Sequence, residues 1–210
     1  MTATSDLATR RVEPSPPEVY EPIFGVDAPE HQKVLAWSAN ASKAVIDFMA
    51  AIYTNNSLDP RLVELIRIRV AFHNQCRSCM ATRNQEVGVD EDLVCSLEKP
   101  EEAPNLTEAE RAALNYADLF ATDHFKITDE TFERLARSFT KEQIIDLGAL
   151  IAGTMGSGRM MATWDIVEGL PDRFQENRGA KNVTPWGEGD VMVQGADMGG
   201  KFEKRAALRN

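Results

Sequence analysis

The stretch ELIRIRVAFHNQCRSCMATR, residues Glu64–Arg83, carries both the strongest fold signal and the chemistry of this chain. Just upstream, Pro60 suits the first turn of a helix, where its missing N–H costs nothing. From there Leu62, Leu65, Ile66 and Val70 recur at helical spacing to about Phe72. A further helix is expected from near Cys76 to Gly88, a glycine suited to a C-terminal cap. Cys76 and Cys79 stand three residues apart, which puts both sulfurs on one helical face. With Cys76 near a helix N-terminus, the unpaired N–H groups favour a thiolate. Such a pair closes into a disulfide with little backbone motion, which a two-thiol redox cycle requires.

Outward from this stretch the pattern stays helical. Val34–Tyr53 places Leu35, Ala39, Val45, Ile46, Met49, Ala50 and Tyr53 on one face, with the small Ser42 among them. Thr107 with Glu110 and Thr140 with Gln143 are capping boxes opening helices over Ala109–Ala121 and Ile144–Val167. Asp129 starts a short helix holding Phe132 and Leu135. No stretch alternates with period two for long enough to be a strand, so the expected fold class is all-α. Gly148, Gly153, Gly156 and Gly158 in the last core helix each cost up to ~1 kcal/mol against alanine, which points to close helix–helix approach. Trp37, Trp164, Met160 and Met161 read as core or subunit-interface packing.

The ends differ from the middle. Residues 1–30 hold five of the ten prolines and read as an extended arm. Residues 171–210 hold six of the thirteen glycines and read as a loop-rich tail. The helical domain is expected over residues 31–170. The chain has 210 residues, is 43% hydrophobic, and carries Lys+Arg 23 against Asp+Glu 33, a net charge of −10. That balance excludes a nucleic-acid or anionic-membrane surface, and no apolar run approaches the ~20 residues of a membrane span. Three cysteines do not make a secreted disulfide scaffold, and no signal peptide is visible, so a cytoplasmic protein is expected. Arg67, Arg69, Arg77 and Arg83 concentrate around the thiols. Cys95 reads as a small buried hydrophobe. A zinc site of His73, Cys76, Cys79 and Cys95 has suitable ligand types but untypical spacing, so no metal is expected.

The segment from Glu64 onward resembles the carboxymuconolactone decarboxylase superfamily, in its alkyl hydroperoxidase D-like branch. That branch has a Glu, eleven residues, then Cys-x-x-Cys, as Glu64, Cys76 and Cys79 stand here. The helix starts at Leu106–Leu114 and Phe139–Ile145 are also similar to those of the family, and the likeness runs over about residues 35–168. The resemblance implies a helical bundle with both arms outside it, a homo-oligomer (trimer-based or dimer) and no bound cofactor. It implies that Cys79 attacks a peroxide, that Cys76 resolves the sulfenic acid, and that Glu64 is the acid/base. Glu64 stands among Leu62, Val63, Leu65 and Ile66, so partial burial and with it a raised pKa are expected. Two positions depart from the family pattern. Its His falls at Arg83, and the residue before the second Cys, often His or Tyr, is Ser78.

Arg83 stays protonated, so it can hold a thiolate or a substrate carboxylate but cannot shuttle protons. His73 is the nearest remaining imidazole for a shifted relay. The leading function is a thiol-dependent peroxidase or disulfide oxidoreductase acting on organic or hydrogen peroxides, reduced by a dithiol or a lipoylated protein. The alternatives are a decarboxylase or lactone-processing enzyme using Glu64 and Arg83, and a non-catalytic redox-sensing oligomer.

Overall fold

In the computed structural model, which describes residues 10–84, 87–176, 182–194 and 203–205, helices dominate. The bundle runs from α3 (Ala39–Tyr53) and α4 (Pro60–Asn74) through α5 (Arg77–Ala81), α6 (Glu91–Ser96), α7 (Glu108–Thr122) and α8 (Asp129–Ala136) to α9 (Lys141–Trp164). The all-α class expected from the pattern is what the bundle displays.

α4 is the central rod. Asp59 caps it by accepting from the Arg61 N–H, and Pro60 takes its first turn. Leu62, Leu65, Ile66, Ile68 and Val70 are buried on several sides, because α4 packs against both α7 and α9. Helices buried all round lose the one-sided apolar stripe of a surface helix. α7 and α9 start at the two expected capping boxes. The α9 glycines divide by what they touch. A Cβ on Gly153 would collide with Ile52 and Phe48 of α3, and one on Gly158 would lie 2.5 Å from Asn74 Nδ2 of α4. Gly156 faces open space and Gly148 makes only ordinary contact, so close approach explains two of the four.

Several expectations change. The single helix over Val34–Tyr53 is broken into α2 (Glu30–Leu35) and α3, and the Ser38 side chain caps α3 by accepting from the Ala41 N–H. The helix expected to reach Gly88 stops at Ala81, and Thr82–Asn84 forms β1 instead. The cause is local. Arg83 takes the Met80 carbonyl that the Asn84 N–H would need, and that N–H goes to Glu64 Oε1 at 3.0 Å. β1 pairs in parallel with β2 (Val191–Gln194), which pairs antiparallel with β3 (Glu203–Arg205). A three-stranded sheet therefore sits on the bundle where no strand was expected.

The ends also carry elements. The Pro-rich arm holds α1 (Pro17–Phe24), started by Pro17 in its first turn. It is tied to the same chain where Arg11 N–H donates to Trp164 O at 2.9 Å and Trp37 Nε1 to Glu13 O at 2.9 Å. Trp37 is thus an exposed anchor for the arm rather than core. The Gly-rich tail holds α10 (Asp172–Gln175) as well as β2 and β3. Residues 1–9 of the arm and 177–181, 195–202 and 206–210 of the tail lie outside the described residues.

The glycine contacts make a paired test. Gly158→Ala should lower stability by about 1–3 kcal/mol by forcing Asn74 from its place, whereas Gly156→Ala should raise it by about 0.5–1 kcal/mol through helix propensity. Urea unfolding of the two variants reads both signs.

Candidate functional site

Where α4 ends, Gln75 adopts a left-handed conformation at φ 51 and turns the chain sharply. A non-glycine residue there costs roughly 1–2 kcal/mol, offset by its side chain. Gln75 Nε2 donates to Phe72 O at 2.7 Å and to Val183 O at 3.1 Å, and its Oε1 accepts from the Val183 N–H at 2.9 Å. The turn delivers Cys76 to the N-cap position of α5. Cys76 and Cys79 are joined as a disulfide with Cα atoms 5.2 Å apart. Cys76 is 1% exposed, while Cys79 is only half-buried, against a cluster that includes Ala71, Met80, Val167 and Phe174. A cleft of about 30 Å³, water-sized, lies between the Gln75–Ser78 turn and the Met161–Val167 end of α9, bordered by Cys76 rather than Cys79.

Glu64 sits at the heart of the polar network and is 1% exposed. Arg67 forks onto it, Nε to Oε2 and Nη2 to Oε1, both at 2.7 Å. Asn84 adds its backbone N–H at 3.0 Å and its Nδ2 at 2.5 Å. Burial pushes this carboxyl up, but the Arg67 charge and hydrogen bonds and the Asn84 N–H outweigh it, so its pKa lies below the ordinary value. The raised pKa expected for Glu64 is thereby corrected: the group is an anion with both oxygens occupied. Arg67, equally buried, also donates to Cys79 O at 2.7 Å and to Thr82 O at 2.6 Å. It links Glu64 to the backbone of the more exposed cysteine.

Arg83 is placed close by but in a different role from the one expected. Its Nε and Nη2 take Glu91 Oε1 and Oε2 at 2.7 and 3.1 Å. Nη1 reaches Met80 O at 2.7 Å and Thr82 O at 3.1 Å, and Nη2 reaches Pro185 O at 2.7 Å. A guanidinium has five N–H donors, and these bonds use all of them. The substrate carboxylate that Arg83 was expected to bind is replaced by Glu91 of the same chain.

His73 points elsewhere. Its Nε2 lies 2.7 Å from Asp118 Oδ1 on α7, and Arg69 forks onto the same carboxylate at 2.6 and 2.9 Å. Burial raises the Asp118 pKa, but the His73 and Arg69 hydrogen bonds bring it below its ordinary value. This geometry turns His73 to α7, and it does not border the cleft beside the thiols. Cys95, expected buried, is an exposed free thiol on α6.

Two members of the network, Arg67 and Asn84, escape a reading of the sequence for site residues. Arg67 has a visible signal, its i, i+3 spacing from Glu64, but that spacing is equally an ordinary ion pair on a helix surface. Asn84 has no local signal, because its role depends on β1. Its Oδ1 in turn accepts from Gln194 Nε2 of β2 at 2.6 Å, which ties the tail to the network.

Solved structures with this fold include a peroxidase-related protein with an alkylhydroperoxidase AhpD core from Ralstonia eutropha. It is 21% identical over 80% of this chain and 93% of its own, with a TM-score of 0.57. A peroxidase-related protein from Silicibacter is 16% identical over 84% of this chain and 98% of its own, with a TM-score of 0.60. The debrominase Bmp8, solved with 2,3,4-tribromopyrrole, is 20% identical over 75% of this chain and 91% of its own, also at 0.60. Those likenesses define an alkyl hydroperoxidase D-like helical fold. Residues 39–119 match the model of the carboxymuconolactone decarboxylase family. An uncharacterised Mycobacterium tuberculosis protein, found in two strains, is 27% identical over 119 residues; the match covers 54% of this chain and 42% of the relative.

Removing one partner of a buried ion pair leaves an uncompensated charge. Glu64→Gln should therefore cost about 3–5 kcal/mol in urea unfolding. The depressed Glu64 pKa also has a pH consequence. Its contribution is complete above the ordinary value of 4.5 and is lost as pH falls through the lower folded-state value. Acid unfolding of the wild type should steepen below that point, and the Gln variant should lack that component.

Proposed function

We propose that the chain is a thiol-dependent peroxidase or disulfide oxidoreductase of this superfamily, working through Cys76 and Cys79. The observation that carries the reading is the bonded Cys76–Cys79 pair, with the second cysteine half-buried and the first enclosed. In the reduced state the Cys79 thiolate attacks the terminal oxygen of a peroxide, ROOH. The O–O bond breaks, Cys79 becomes a sulfenic acid, and RO⁻ takes a proton from solvent to leave as ROH. Cys76, having given its proton to solvent, then attacks the Cys79 sulfur as the thiolate, forming the S–S bond and releasing hydroxide, which takes a proton from solvent and leaves as water. A dithiol, free or as a protein-bound lipoyl group, returns two electrons and two protons and leaves as its own disulfide. None of these steps needs a metal or organic cofactor.

The proton handling differs from the role first expected of Glu64. An ionised carboxylate that accepts from Arg67 and Asn84 at both oxygens is better suited to holding than to shuttling. The Ser78 hydroxyl lies 3.6 Å from Cys76 Sγ and borders the cleft. Among the described residues no helix is long and apolar enough to cross a membrane. α3 supports a homo-oligomer: of its fifteen residues only Ser42 and Ile52 are buried, and Ile46 and Phe48 lie open, as does Ile145 of α9. An apolar helix face of this kind seeks a partner.

Two experiments test the reading. Reduced protein treated with one equivalent of cumene hydroperoxide should lose two thiols and form the Cys76–Cys79 bond far faster than free cysteine reacts. Cys76→Ser should instead trap a sulfenic acid at Cys79, detected by dimedone mass tagging; oxidation no faster than free cysteine rejects a peroxidase. 2,3,4-Tribromopyrrole run in parallel shows whether the electrophile is a peroxide or, as for Bmp8, an organobromide. For assembly, sedimentation velocity should find a multimer that Phe48→Glu dissociates, and a monomeric wild type contradicts it.

A further inference from the structure

The turn that carries the thiols is too short to hold its own shape. α5 has five residues, and an isolated helix needs about 12–15 to be even marginal. Four carbonyls at its end are instead held by side chains. Ser78 O accepts from Thr82 Oγ1 at 2.9 Å, Cys79 O from Arg67 at 2.7 Å and Met80 O from Arg83 at 2.7 Å. Thr82 O accepts from both arginines, at 2.6 and 3.1 Å. Each guanidinium is anchored from outside the turn by a carboxylate, Glu64 of α4 for Arg67 and Glu91 of α6 for Arg83. Both arginines are buried, at 6% and 5% exposure.

We infer that Arg67 and Arg83 form a two-arginine clamp that fixes the backbone of the redox turn and thereby sets the midpoint potential of the Cys76–Cys79 pair. They are positioning residues. Closing the disulfide is an intramolecular reaction whose equilibrium depends on how often the two sulfurs meet. A backbone held at Cys79 O, Met80 O and Thr82 O leaves little beyond side-chain rotation to bring Sγ to Sγ. Loosening it lowers the effective concentration of one thiol at the other and makes the disulfide easier to reduce. The clamp also gives Arg83 a function at a position where the family places a proton-carrying His.

The inference rests on the reading that this pair cycles, but its test uses no peroxide. Wild type, Arg67→Lys and Arg83→Lys are equilibrated with dithiothreitol in mixed redox states at pH 7, and the disulfide fraction is read by alkylation and mass spectrometry. A lysine keeps the charge but cannot fork across a carboxylate and two carbonyls. The disulfide equilibrium constant should fall about tenfold in Arg67→Lys, a midpoint about 30 mV more positive, with a shift of the same sign in Arg83→Lys. Arg61→Lys, which loosens the Arg61–Glu110 ion pair on α4 and α7, is the control and should not move it. If Arg67→Lys does not fold, Glu64→Gln with Arg67→Met removes both buried charges and is read in the same way. An unchanged midpoint in a folded clamp variant, or an equal shift in the control, overturns the inference. Thiols inert to peroxide together with clamp-dependent midpoints would reject the peroxidase reading and leave the clamp standing.

Discussion

The buried ion pair of Glu64 and Arg67 is the contact on which the rest of the site depends. Both charges lie inside the bundle, where an isolated ion would cost several kcal/mol. They are tolerated because nearly every hydrogen-bonding position is filled: two Arg67 N–H groups and two Asn84 N–H groups on the carboxylate, two backbone carbonyls on the guanidinium. Satisfying that pair requires the chain after Ala81 to leave the helix, so that the Asn84 N–H turns to Glu64. The end of α5, the start of β1 and the docking of the tail through Gln194 follow from the same requirement. A local electrostatic demand thus decides where a helix ends and where a strand begins.

The site is built by three arginines that bind the chain's own oxygens. Arg67 and Arg83 take the carbonyls around the redox turn, and Arg77 takes Phe174 O at 3.1 Å and Glu176 O at 2.5 Å. Arg77, with Gln75 on Val183 and Arg83 on Pro185 O, binds segments from both sides of the thiols to the C-terminal tail. Guanidinium groups suit this work because they remain charged at any physiological pH and offer several donors in a fixed plane. The concentration of arginine around the cysteines, in an acidic chain, is explained by internal scaffolding and not by an anionic ligand.

Much of the bundle is legible from local signals. Pro60 and the capping boxes at Thr107 and Thr140 mark helix starts because their chemistry is confined to a few neighbouring residues. The Cys-x-x-Cys pair and its Glu are legible as a pattern, yet the state of Glu64 is not, since the balance of burial against Arg67 depends on three-dimensional packing. β1 and β2 are three and four residues long and pair across more than a hundred positions, too short for a period-two signal to register. The apolar face of α3 looks like core in the sequence because periodicity reports that a face must be covered, not which molecule covers it. Arg83 looks like a substrate anchor for a related reason: its partner Glu91 stands only eight residues away, but nothing in that spacing distinguishes an internal carboxylate from a bound one.

The clamp predicts that the redox turn, held by Glu64, Arg67 and Arg83, keeps its backbone whether or not the sulfurs are bonded. Amide hydrogen exchange at Met80, which donates to Cys76 O, and at Asn84, which donates to Glu64, measures this directly. Protection at both amides should be nearly equal in the oxidised and dithiothreitol-reduced protein. A loss of protection by orders of magnitude on reduction, confined to this turn, would show that the disulfide alone holds it and would contradict a clamp built from these three side chains.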